Sequence, residues 1–397
     1  MLRRVALSAL LLAPLACADD GTGDASATEG ASTNTSTSTS TTTSTSTSSG
    51  SSATSTSTST TSGSTSTTTS TSSTTADETT TGVATTRGTD TDSDTGTSTD
   101  TDSDTDTDTG VDPGPDVDLG DPQLYAFKFT AAEADAGATE ALGTQLAYLD
   151  TTVQPRGRLV VYLHGAGAPT TCGSTAHGQL LAGMGFHVFM PCYRSDYGVG
   201  NCGDDIGGCR LEAFEGVDHH PFIDITPPNA IETRVVRGLQ HLQALHPGGD
   251  WAYYLDGDAP RWDAIILSGI SHGASSSGLI GKHRLVDRVV MLSGPLDTGQ
   301  AWLTDPLLTA IERYYGFTHT GDGQHPGHLQ SFIDLGVPGE PIAVDGASPP
   351  YGDSHRLITS AVTGDPHGST QAGGASPKDG DAYVFTPVWA QMYGALP

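Results

Sequence analysis

Positive charge is what this chain has least of. Its 397 residues carry 17 Lys and Arg against 46 Asp and Glu, a formal net charge of −29 at pH 7. Residues 1–120 hold 17 of the acidic groups and 3 of the basic ones, so that stretch and the remainder are both acidic. Phosphate binding needs clustered Lys and Arg, so no nucleic-acid partner is expected. Adhesion to anionic lipid by charge alone is excluded on the same ground. Large apolar side chains are almost missing from residues 18–120, which are nearly all Ser, Thr, Gly and Asp. Such a stretch cannot bury enough apolar surface to offset the entropy of ordering it, and disorder is expected there. Long hydrophobic runs are lacking too. The apolar run at 5–13 is too short for a permanent membrane span, and no other stretch is long and apolar enough.

What is present begins with a targeting pattern. Arg3 and Arg4 precede the apolar run, and small residues lead to Cys17, the order of a secretory signal peptide. Leu15-Ala16-Cys17 resembles a bacterial lipobox, although Pro14 stands where such sites usually have Leu. The resemblance implies lipidation of Cys17 and a membrane anchor; ordinary signal cleavage is the alternative. The expected layout is a signal at 1–17, a tether at 18–120 and a folded domain at 121–397. The expected location is outside the cytoplasm, as a lipoprotein at a bacterial cell surface or in the periplasm, or else secreted. Within the tether, residues 32–75 are nearly pure Ser/Thr, open to O-glycosylation. Residues 89–109 alternate Asp with Thr or Ser, and like charges extend such a chain into a spacer. The repeat lacks the glycine and bidentate glutamate of a calcium loop.

Besides Cys17 there are four cysteines, Cys172, Cys192, Cys202 and Cys209. An even count behind an export signal reads as two disulfides. Of three possible pairings, Cys202–Cys209 is favoured because it closes a Gly-rich loop. Cys172–Cys192 is favoured because each cysteine follows a strand expected at the same edge of the sheet. A zinc site fits poorly, since the C-x₆-C spacing has no well-placed histidine pair.

The remaining 277 or so residues suffice for one α/β domain. Segments 124–130 and 145–150 read as front edge strands. RLVVYL at 158–163 is a continuous apolar run, as a strand buried on both faces requires. A helix through 179–184 and a strand at 187–192 follow. Residues 229–245 carry Ile231, Val235, Leu239, Leu242 and Leu245 at helical spacing, with Pro227-Pro228 before them and Pro247 after. Strands are expected at 264–270, 288–292, 313–319 and 355–362. A small-residue helix through 282 and a closing helix at 384–396 complete the set. Alternating strands and helices predict a mostly parallel, mixed central sheet covered by helices on both faces.

GISHG at 269–273 matches G-x-S-x-G and sits between the apolar strand AIILSGI and the small-residue segment ASSSGLIG. Ser271 therefore falls on a strand-to-helix turn, its hydroxyl forced outward and a helix N-terminus beneath it. His164-Gly165-Ala166-Gly167 follows directly on the strongest strand. With these two motifs in this order, residues 123–397 resemble the α/β-hydrolase superfamily, especially its secreted bacterial esterase-like members. The resemblance implies a Ser-acid-His triad in chain order and an oxyanion hole of two backbone N–H groups. Here the donors would be His272 and either Ala166 or Gly167. The acid would be Asp322, in the loop after the 313–319 strand, with Asp297, one strand earlier, as the alternative. The base would be His367, after the last strand. No metal or organic cofactor is implied, and the expected partner is an ester-containing substrate. Amide hydrolysis uses the same triad, and a non-catalytic surface-binding module on this fold is the competing reading. No long apolar lid helix of an interfacial lipase is evident. The insertion at 193–224 either lines the substrate pocket or forms a stapled surface loop.

Overall fold

A computed structural model of the chain describes residues 112–396. The signal and Cys17, and the tether up to 111, lie outside the described residues. Nine strands form one sheet: β1 (Leu124–Thr130), β2 (Thr144–Asp150), β3 (Leu159–Leu163), β4 (His187–Met190), β5 (Ile265–Ile270), β6 (Arg288–Leu292), β7 (Tyr314–His319), β8 (Ile342–Ala343) and β9 (Arg356–Thr359). Their spatial order is β1-β2-β4-β3-β5-β6-β7-β9-β8. β2 pairs antiparallel with both neighbours and every other pairing is parallel, so the mixed character comes from β2 alone. This is the α/β-hydrolase arrangement, a mostly parallel sheet with helices on both faces.

The pleat divides the core in two. Leu159, Val161 and Leu163 of β3 face one hydrophobic layer, while Val160 and Tyr162 face the other. A residue period of two sends alternate side chains to opposite faces, so an unbroken apolar run is what a doubly covered strand needs. The first layer is closed by α2 (Ile206–Glu215), α3 (Ile231–Leu245), α4 (His272–His283) and α5 (His325–Leu335). The second is closed by α1 (Thr175–Gly183) and α6 (Thr386–Tyr393). α3 buries Ile231, Val235, Leu239 and Leu242 in one stripe. Residues 227–229 form a separate 3₁₀ turn ahead of it, so the helix starts two residues later than its periodicity predicts. The expected closing helix is shorter, because Pro387 sits in the first turn and Gly394 ends the helix in a left-handed cap.

Two disulfides are present, Cys172–Cys192 and Cys202–Cys209. They are compatible with an exported protein. Among the described residues no helix is long and apolar enough to cross a membrane. Ordered contacts begin ahead of residue 121. Asp112 pairs with Arg261 and accepts from Tyr253 Oη at 2.8 Å, and the Asp118 amide donates to the Gly248 carbonyl at 2.8 Å.

Candidate active site

The site is built on the turn from β5 to α4. Ser271 has φ 56° and ψ −118°, a left-handed conformation that costs a non-glycine residue roughly 1–3 kcal/mol. Its neighbours hold it there. The Ser271 amide donates to the Leu292 carbonyl of β6 at 2.9 Å, while its own carbonyl accepts from the Ala274 and Ser275 amides as α4 begins. The flanking glycines are required by close approach. A Cβ on Gly273 would lie 2.0 Å from the Leu163 carbonyl oxygen and 2.6 Å from that of His164. One on Gly269 would lie 2.5 Å from the Gly273 backbone. The end of β3 and the start of α4 thus touch backbone to backbone, which also brings residues 164–167 over the turn.

Ser271 and His367 line one cleft of about 230 Å³. His367 Nδ1 lies 2.7 Å from Asp322 Oδ2. A carboxylate can only accept, so Nδ1 carries the proton and Nε2 keeps its lone pair. Asp322 is buried, and burial alone would raise its carboxyl. The His367 hydrogen bond, the Gln324 amide on Oδ1 at 2.9 Å and the charge that His367 can carry together hold it below the usual carboxylate range. Behind it, His328 is fully buried and pushed down to about 4 by that burial, so it is neutral at physiological pH. The His367 turn is tied down by Ser293 Oγ, which donates to the His367 carbonyl at 2.7 Å. Asp322 and His367 lie in loops after adjacent parallel strands β7 and β9, at the same end of the sheet as the serine turn.

The expected oxyanion donors are the His272 amide and that of Ala166 or Gly167. His272 begins α4, so its amide is one of the helix's unsatisfied donors. Ala166 is exposed on the cleft wall. Gly167, the alternative second donor, is otherwise employed: its amide donates to the Ser195 carbonyl at 3.0 Å, which removes it from the cleft. The His272 side chain points away, buried between Tyr193 and Tyr197. Burial, then the charge of Arg210, pushes it well below the ordinary imidazole range.

Asp297 does not meet a histidine. It forms a two-pronged pair with Arg210, with Nε to Oδ2 at 2.8 Å and Nη2 to Oδ1 at 2.9 Å, and it also accepts from Trp302 Nε1 at 2.9 Å. Arg210 further donates to the His272 carbonyl and to Ser276 Oγ in the first turns of α4. Arg210 belongs to α2, inside the 193–224 insertion, so that part of the insertion braces the back of the serine helix. Its opening residues 193–196 line a second recess, of about 680 Å³, on the far side of the 165–169 loop. Sequence reasoning passed over Arg210 and the acidic cleft residue Asp365; a charged side chain within the helix IGGCRLEAFE was the available signal for the first.

No family model and no curated protein matches the chain. Among solved structures, the chain is similar to a dienelactone hydrolase-like promiscuous phosphotriesterase from metagenomic libraries. The two are 14% identical, with 69% of this chain and 96% of that one covered and a TM-score of 0.33. It is also similar to a sugar hydrolase from Lactococcus lactis, 12% identical, with 68% and 95% covered and a TM-score of 0.34.

Proposed function

We propose that the chain is a serine hydrolase acting on carboxylic esters. Ser271 Oγ attacks the acyl carbon while His367 Nε2 accepts its proton. Asp322 holds the imidazole in the required tautomer and stabilises the cation that forms. The tetrahedral oxyanion accepts from the His272 and Ala166 amides, each such donor being worth roughly 3–4 kcal/mol. Collapse expels the alcohol, which takes the proton back from His367. Water then attacks the acyl-enzyme by the same route, releasing the acid and restoring the serine.

One observation carries this reading: a serine on a strained strand-to-helix turn shares its cleft with a histidine whose far nitrogen is bound to a buried carboxylate. The test is labelling of the full, disulfide-bonded chain with a fluorophosphonate, mapped by peptide mass spectrometry, with Ser271→Ala as control. An adduct on the Ser271 peptide that disappears in the control is expected. Absence of adduct in folded protein refutes an activated serine and favours a surface-binding role. Export with a lipid on Cys17 is the accompanying proposal. Radiolabelled palmitate should enter the wild type and not Cys17→Ala; equal incorporation, or none, sinks the anchor.

A further inference from the structure

The cleft that holds Ser271 and His367 contains one carboxylate that the proposed reaction does not use. Asp365 lies two residues before His367 and lines the same wall. Its Oδ1 accepts from the Gly368 amide at 3.0 Å and its carbonyl accepts from the Ser369 amide at 3.1 Å, which fixes the side chain against the His367 turn. Its Oδ2 rests against the Gly368 backbone, 2.3 Å from where a Cβ there would be. Among the described residues no Lys or Arg pairs with Asp365, and none lines the cleft. His164, on the same wall, is pushed down to about 4 by burial and adds no charge. Across the cleft, Gln371 accepts from Tyr162 Oη through Oε1, which leaves its Nε2 as a neutral donor. The second recess repeats the sign, with Glu140 and Asp196 around the single cation Arg194. A fixed carboxylate with no Lys or Arg to neutralise it, in the cleft that holds Ser271 and His367, discriminates by charge.

We propose that Asp365 is a specificity-determining residue that selects esters with a cationic substituent on the acyl group and rejects those with an anionic one. This rests on the serine-hydrolase reading of the same cleft. The test uses three p-nitrophenyl esters of matched length, carrying a trimethylammonium, a neutral tert-butyl or a sulfonate terminus. In the full chain, kcat/KM should rise from sulfonate to tert-butyl to trimethylammonium, by roughly three- to tenfold per step for a carboxylate several ångströms away across partly wet space. The spread should narrow as salt is added.

Asp365→Asn keeps an oxygen for the Gly368 amide while removing the charge, so the cation-to-anion ratio should fall toward one. A wild-type ratio near one, or a ratio unchanged in Asp365→Asn, overturns the proposal; the second result would assign the selection to the acidic surface at large. Turnover of the neutral ester reports separately on the serine hydrolase itself. If no ester is cleaved, the Kd values of the matching N-methylamides, measured calorimetrically in wild type and Asp365→Asn, still decide whether the cleft prefers the cation.

Discussion

Two aspartates compete on sequence grounds for one role, and their surroundings predict opposite consequences of mutation. The Arg210 and Asp297 side chains are each 3% exposed and bonded at two points. Asp297→Asn leaves the guanidinium buried without its counter-charge. Breaking a buried pair in this way costs about 3–5 kcal/mol. For a domain of this size each kcal/mol moves Tm by about 2–4 °C, so Tm should drop by roughly 6–20 °C. Turnover of p-nitrophenyl butyrate, measured well below the lower Tm, should change less than about tenfold, because the Asp322–His367 bond is untouched. Replacing both partners by apolar residues, Arg210→Met with Asp297→Leu, should recover most of the stability, since two desolvation penalties vanish together. Asp322→Asn should do the reverse. Tm should hold within a few degrees while kcat falls by about 10⁴, because an amide facing Nδ1 favours the tautomer that puts the proton on the wrong nitrogen. If Asp297→Asn abolishes turnover at unchanged Tm, or Asp322→Asn leaves kcat intact, the assignment of the acid is refuted.

The backbone at Ser271 should respond to glycine: Ser271→Gly is expected to unfold at higher denaturant than Ser271→Ala, by about 1–2 kcal/mol, and a lower midpoint would mean the turn stores no strain. Stability should also depend on pH through His177, which burial pushes down to about 3; its Nδ1 accepts from the Ala372 amide at 3.1 Å and its Nε2 meets Tyr393 Oη at 3.0 Å. The unfolded chain takes up that proton near pH 6.5 and the folded chain does not, so stability is lost as pH falls from about 6.5 toward 3, by about 1.4 kcal/mol per unit for each such histidine. Urea midpoints at pH 7, 5.5 and 4.5 should show a slope that is one proton shallower in His177→Gln, and equal slopes would exclude this group. Reducing Cys172–Cys192, separated by 20 residues, should cost about 3 kcal/mol, and the shorter Cys202–Cys209 loop less; reduction that leaves Tm unmoved would contradict the loop-entropy account.

Strands were legible where burial on both faces made them continuous in large apolar residues, as at 159–163 and 289–292. The serine turn was legible because its glycines are forced by contact rather than by preference. Less visible were the helices α2 and α5. In α2, a Gly207-Gly208 pair depresses helix propensity, and only the Asp205 side chain, capping the Gly208 amide at 2.8 Å, marks the start. In α5, Pro326 opens the helix, while the apolar positions Leu329, Phe332 and Leu335 make a stripe too short to stand out. The two-residue edge strand β8 carries no periodicity at all. The Arg210–Asp297 pair joins residues far apart in sequence, and nothing local in either segment predicts its partner. The hydrogen bond from the Gly167 amide to Ser195, a residue from the insertion, is likewise invisible in the local sequence.

The contact between Gly273 and the Leu163 and His164 carbonyls makes two distant stretches of sequence into one mechanical part. The end of β3 and the first turn of α4 meet at backbone distance, with no Cβ on Gly273 to hold them apart. A displacement of either segment toward the other is blocked by that contact, so the two should shift together. Even a methyl group added at Gly273 would act as a wedge between the two segments, while leaving Ser271, His367 and Asp322 chemically intact.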